Sequence, residues 1–130
     1  MPTKKKLKKP PAPTQTTSKD IARFVAQSIY DNKGFDIQVL DLRKLASFAD
    51  YFIIASGTSD RHVQSLSEHV KSALSEKKIP SLGVEGHRKG HWILMDYGSV
   101  VAHLFFEEAR SFYALEKLWD DAIPVKFRLT

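Results

Sequence analysis

DYFIIASGTSDRHV, residues 50–63, is the stretch on which the fold turns. Residues 51–55 form a nearly continuous apolar run, which fits a central strand covered on both faces. Gly57, Thr58, Ser59 and Asp60 then turn the chain into a helix, with Val63, Leu66, Val70, Ala73 and Leu74 on one stripe at helical spacing. That helix is expected to end near Lys78, before Pro80. A second strand-to-helix coupling follows in WILMDYGSVVAHLFFEEARSFYALEKLW, residues 92–119. Two apolar runs, 92–95 and 100–106, flank the turn residues Asp96, Tyr97, Gly98 and Ser99, the pattern of an antiparallel hairpin. A last helix from about Glu107 to Trp119 starts with two carboxylates at its positive end and sets Phe112, Leu115 and Trp119 on one side.

Outward from these blocks, Ile21, Val25 and Ile29, flanked by Ala22 and Phe24, mark a first helix. Thr17 or Ser18 can cap it and Gly34 can stop it. FDIQVLDL, residues 35–42, alternates as a half-exposed strand, and 81–84 is a short candidate strand. The order αββαβββα predicts an α/β (α+β) fold, a mixed β-sheet with flanking helices. No internal repeat interrupts it. The boundaries read as a tail over 1–17, a domain over 18–123 and a loose C-terminal end over 124–130.

With 130 residues, 42% of them hydrophobic, one domain with one core is expected. The absence of cysteine excludes disulfides, thiolate metal sites and thiol nucleophiles. No apolar run is long enough for a membrane span and no secretory leader is read at the start, so a soluble, cytoplasmic protein is expected. The net charge of +5 is a property of the tail: six lysines and one aspartate in residues 1–20 account for the whole excess. MPTKKKLKKPPAPTQTT has too few apolar residues to offset the entropy of ordering and is expected to be disordered, with nonspecific RNA contact open to it.

Catalytic patterns are weak. The turn at Gly57 could offer backbone N–H groups to a phosphate, yet it has neither the GxxxxGK[ST] nor the GxGxxG spacing. It also suits the Gly-Ser start of a nucleotidyltransferase site, which leaves a nucleotide-binding or nucleotidyltransferase-type enzyme as the alternative function. That chemistry needs paired carboxylates on a metal, and no Asp-x-Asp or Glu-x-Asp pair follows. His62 and His69 are about 10 Å apart along one helix, too far to share an ion. His87 and His91 flank Arg88 and Lys89, and His103 sits inside VVAHLF, the setting of a buried, hydrogen-bonded imidazole. Neither catalytic nor metal-binding residues, nor a cofactor, are assigned. Trp92 and Tyr97 remain as aromatic anchors that could project together from one end of the hairpin, a composition typical of protein docking.

DYFIIASGTSDRHV, GVEG at 83–86, WILMDYGSVVAHLF and RSFYALEKLW occur in the order and spacing of the ribosomal silencing factor family, also called RsfS or Iojap-like, which the chain resembles from about Ile21 to Trp119. The resemblance implies a nucleotidyltransferase-like fold without the catalytic carboxylates, and a function without catalysis. It implies binding to the large ribosomal subunit through ribosomal protein L-fourteen, which blocks joining of the small subunit and represses translation when nutrients are scarce. A homodimer is compatible with it for the free protein. Carried over by motif position, Trp92, Tyr97 and Ser99 are the first expected contacts, with Leu94 and Asp96 beside them and Glu107 and Glu108 extending an acidic edge. On this reading Trp92→Ala removes binding and leaves stability nearly unchanged. The lysine-rich tail and PVKFRLT lie outside the family pattern, and GHRKGH is more basic than a cationic partner would favour.

Overall fold

The computed structural model describes residues 16–113, 117 and 119–130, and the side chains of all of these except 111–113. The elements run α1 (Ser18–Asp31), β1 (Phe35–Asp41), β2 (Tyr51–Gly57), α2 (Asp60–Glu76), β3 (Gly83–Glu85), β4 (Trp92–Asp96), β5 (Val100–Phe106), α3 (Glu107–Tyr113) and β6 (Ile123–Val125). They build one mixed six-stranded sheet in the order β3-β4-β5-β2-β1-β6. Among the described residues only β2 and β5 pair in parallel, from Tyr51 opposite Val100 to Gly57 opposite Phe106. A parallel pair must be covered on both faces. β2 is accordingly buried along its whole length, the central strand expected from its sequence.

Helices α1 and α2 cover one face. Thr17 caps α1 in a capping box: its hydroxyl accepts from the Asp20 N–H at 3.1 Å, and the Asp20 carboxylate accepts from the Thr17 N–H. Ala22, Val25, Ala26 and Ile29 form its fully buried stripe. The left-handed residue after this helix is Lys33 at φ 71°, not Gly34. Gly34 is needed for a different reason: a Cβ there would collide with Ile29, to whose carbonyl the Gly34 N–H donates at 2.8 Å. The helix-side core joins α1 and α2 to Ile53, Ala55, Ile93, Met95, Ala102 and Leu104. A second cluster on the opposite face gathers Leu40, Leu42, Ala49, Phe52, Ile54, Phe105 and Ala122, with Trp92, Val101 and Trp119 packed at its margin.

The C-terminal end departs from the expectation of a loose segment. Ile123–Val125 pairs antiparallel with β1, placing Val125 opposite Val39 and Ile123 opposite Asp41. Pro124 is tolerated because it lies on an edge strand, where its missing N–H breaks no inner ladder. Beyond it, Phe127 and Leu129 pack on the helix-side core, and the Arg23 guanidinium sits 4.7 Å from the centre of the Phe127 ring. The Gln27 side chain donates to the Thr130 carbonyl at 3.0 Å. Of the last helix, the turn from Glu107 to Tyr113 is present. The expected positions of the Phe112 and Leu115 side chains lie outside the described residues, as do residues 1–15 of the tail expected to be disordered over 1–17; its last residue, Thr17, is instead fixed as the N-cap of α1.

Phe127→Ala tests the docking of this end on the core. Removing a half-buried aromatic and its cation–π contact is expected to cost about 1–2 kcal/mol, read by urea or thermal unfolding. A frayed end would give a change within about 0.5 kcal/mol, as for other surface substitutions.

Candidate docking surface on the open face of the sheet

Strand parity sorts the hairpin residues. Along β4, Ile93 and Met95 are buried towards the helices, whereas Trp92, Leu94 and Asp96 are half-exposed on the opposite, outward face. Cross-strand pairing extends this face in rows: Trp92 lies opposite Phe105, Leu94 opposite His103 and Asp96 opposite Val101. On the parallel side, His103 pairs with Ile54 and Val101 with Phe52.

The outward face carries a chain of ring contacts. Trp92 stacks on Phe105, with centroids 5.2 Å apart and planes 24° from parallel. His103 meets the Phe52 ring edge-on at 4.7 Å, and Phe52 meets Trp119 at 5.6 Å. Phe48, from the loop between β1 and β2, touches both Phe52 and Trp119. Phe48 is 62% exposed and Leu45 in the same loop 45%, so the far margin of the aromatic cluster is an apolar lip open to solvent. The side-chain N–H of Trp92 donates to His103 Nδ1 at 3.1 Å. Sequence reading missed this lip, because a loop that folds back over a sheet has no periodicity to betray it.

His103 is only 4% exposed, and burial pulls its pKa down to about 4, so the ring is neutral near pH 7. With Nδ1 accepting from Trp92, the proton resides on Nε2, which is buried and has no hydrogen-bond partner among the described residues.

The five expected contact residues do not form one cluster. Trp92, Leu94 and Asp96 share the outward face. Tyr97 is 6% exposed and belongs to the helix-side core, with burial pushing its hydroxyl up to about 12. Trp92 and Tyr97 therefore sit on opposite faces and towards opposite ends of β4, separated by about 17 Å at the usual rise per residue, and cannot project together. Parity is the physical reason: five residues apart on a strand is an odd step. Asp96 shapes the turn by accepting the Gly98 N–H at 2.7 Å, with Gly98 at φ 83°. Ser99 is half-exposed, and its carbonyl accepts from the N–H groups of Asp50 and Tyr51, tying the hairpin tip to the start of β2. Glu107 and Glu108 are exposed beyond the other end of β5, about 20 Å from the Asp96 row, so they do not continue its edge.

The remaining motifs are engaged internally. Ser59 caps α2 through a bond from the His62 N–H, and the Thr58 N–H donates to His62 Nδ1 at 2.9 Å. His62 Nε2 in turn meets the Asn32 carbonyl at 2.9 Å, clipping the end of α1 to the start of α2. The N–H groups that a phosphate would seek at Thr58 and His62 are thus occupied by side chains. The basic loop 86–91 is held against α2: Gln64 donates to the carbonyls of His87 and Arg88, His87 meets Glu68 at 3.0 Å, and His91 meets Asp60 at 3.2 Å. Buried Arg110 donates to Ser56 Oγ and the Asp36 carbonyl, anchoring α3 over the strand ends. Among the described residues no three metal-ligating side chains come together, and no helix is long and apolar enough to cross a membrane.

The His103 environment sets a pH dependence. Its folded pKa lies below the ordinary value of 6.5, so the unfolded chain binds a proton that the folded one refuses. Stability from this group is full above pH 6.5 and falls by about 3 kcal/mol as pH drops towards 4. Urea unfolding of wild type and His103→Phe across pH 7 to 4 should show the variant losing less stability on acidification.

Comparison with known proteins assigns the family. A family model described as ribosomal silencing factor during starvation matches residues 15–129. A ribosomal silencing factor RsfS of Bacillus subtilis is 39% identical over 104 residues, spanning 80% of this chain and 88% of that protein. A mouse protein named mitochondrial assembly of ribosomal large subunit protein 1 is 37% identical over 87 residues, covering 65% of this chain and 38% of the mouse protein. A crystal structure of a Chromobacterium violaceum protein superposes with a TM-score of 0.78 at 34% identity, covering 88% of this chain and 94% of that one. With most of its length matched in sequence and in fold, the chain belongs to the ribosomal silencing factor (RsfS, Iojap-like) family.

Proposed function

We propose that this protein is a non-catalytic translational repressor that docks on the large ribosomal subunit through ribosomal protein L-fourteen. Docked there, it blocks joining of the small subunit and so lowers translation when nutrients are scarce. Its place of action is the bacterial cytoplasm. The observation that carries this reading is the outward face of β4 and β5, where Trp92, Leu94 and Val101 stay half-exposed beside the Phe48 lip. Half-buried aromatics ringed by apolar and acidic groups are the composition of a protein-docking hot spot. Asp96 gives one end of the face a carboxylate suited to a basic ribosomal partner. A nucleotide-binding enzyme is disfavoured because the Gly57 turn is filled by its own His62 and Ser59.

The proposed contacts are Trp92, Leu94, Asp96 and the lip formed by Leu45 and Phe48. Ser99 contributes by holding the turn, and Tyr97 by supporting the hairpin from the core. Trp92→Ala is a poor probe on its own: it removes a stacked ring and leaves His103 Nδ1 without its donor, which is expected to cost about 2 kcal/mol of stability.

Leu94→Lys and Phe48→Ser, both on solvent-accessible positions, separate docking from folding. Co-sedimentation with isolated large and small ribosomal subunits is expected to show salt-resistant binding of the wild type to the large subunit alone. Subsequent addition of small subunits should yield fewer joined ribosomes. Each variant should bind at least tenfold more weakly with its melting temperature within a few degrees of wild type. Equal binding to both subunits, or variants that bind as wild type, would contradict the reading. Calorimetry with magnesium and nucleoside triphosphates should give no heat of binding; a saturable signal there would revive the enzyme.

A further inference from the structure

We infer that His103 is a positioning residue for docking: its Nδ1 fixes the orientation in which the Trp92 ring meets the partner. This inference rests on the proposed docking role of the outward face. Trp92 is the first residue of its strand, where the ladder constrains the side chain least, yet the ring is held by contacts of different kinds. Stacking on Phe105 sets its plane, and the bond from its N–H to His103 Nδ1 at 3.1 Å sets its rotation within that plane. Stacking alone tolerates sliding and in-plane rotation, whereas a hydrogen bond is directional.

His103 can impose that geometry because it is itself packed among its neighbours. It is 4% exposed, lies in the row between Leu94 and Ile54, and has the Phe52 ring edge-on at 4.7 Å. A proton on Nδ1 would turn the acceptor into a second donor and break the contact; burial opposes it, and the group stays neutral near pH 7. The ring also retains a cost that a purely structural residue would avoid. Its Nε2–H is buried with no acceptor among the described residues, and a phenylalanine of similar shape would fill the place without that orphaned donor. What the imidazole supplies, and phenylalanine cannot, is the acceptor facing Trp92. With the indole N–H committed inward, the contact Trp92 makes with a partner is apolar rather than hydrogen-bonded.

Two readouts test this. In the first, the hydrogen-exchange rate of the Trp92 indole N–H is followed by NMR, its peak assigned by its loss in Trp92→Phe. The N–H should be protected in wild type, exchange at least tenfold faster in His103→Phe, and be restored in His103→Asn, which keeps an acceptor near the Nδ1 position. In the second, affinity for isolated large subunits is measured for the same proteins and for Leu94→Lys. His103→Phe should bind about three- to tenfold more weakly, the weight of one hydrogen bond, and His103→Asn should recover most of the loss. His103→Leu replaces His103→Phe if the latter does not fold. If wild type binds and Leu94→Lys does not, but His103→Phe binds as wild type, the positioning role is overturned while docking stands. Equal loss in the Phe and Asn variants with the indole still protected would also overturn it. Failure of wild type to bind would instead sink the docking proposal, leaving the NMR result to report on the Trp92–His103 bond alone.

Discussion

The parallel pairing of Tyr51–Gly57 with Val100–Phe106 is the constraint from which the rest of the structure follows. Parallel strands cannot be joined by a tight turn, so the chain between them must cross over, and α2 makes that crossing on the helix side. Burial of β2 on both faces then demands two separate cores, one under the helices and one on the outward face. Because β4 hangs from β5 as a hairpin, its even-numbered residues are committed to the outward face once β5 is in register. That face is covered at one side by the loop carrying Leu42, Ala49 and Phe48, while the Trp92–Leu94 side stays half-open. The candidate docking surface is thus a consequence of incomplete coverage on a sheet whose centre is fully sealed.

The same economy explains why the polar motifs at the helix starts and turns are poor candidates for chemistry. Ser59 and His62 satisfy the first N–H groups of α2 and join it to the end of α1. Gly57 permits this because a Cβ there would press on Val63 at 2.9 Å. Gly90, at φ 73°, lets the basic loop lie against the Asp60 backbone, so that His87 and His91 reach carboxylates of α2. The basic stretch that sequence reading set beside a cationic partner is therefore held against α2, with His87 and His91 engaged by its carboxylates.

Much of the fold was legible because burial on one or two faces writes its own period into the sequence. The unbroken run at 51–55, the stripe from Val63 to Leu74 and the turn at 96–99 each named their element and their place. The end of the chain was equally legible in principle: Val125, Phe127 and Leu129 alternate with Lys126 and Arg128, a strand pattern that Pro124 obscured. Tyr97 was misplaced because the hairpin tip was treated as one surface, when the alternation from Ile93 through Met95 to Tyr97 puts it with the core. Phe48 and the Trp92–His103 bond were beyond reach for another reason. The first depends on how a loop folds over a sheet, and the second joins residues 11 apart across a hairpin, so neither has a local signature.

The outward face of β4 and β5, with the Phe48 lip, is the surface proposed to meet the large subunit. Hydrogen–deuterium exchange of the protein, alone and with a saturating excess of isolated large ribosomal subunits, tests it most directly. Added protection is expected to be confined to residues 45–52, 92–96 and 100–103, with α1 and the outer side of α2 unchanged. Protection concentrated on the helices or on the turn at 57–62, with the outward face unaffected, would contradict it.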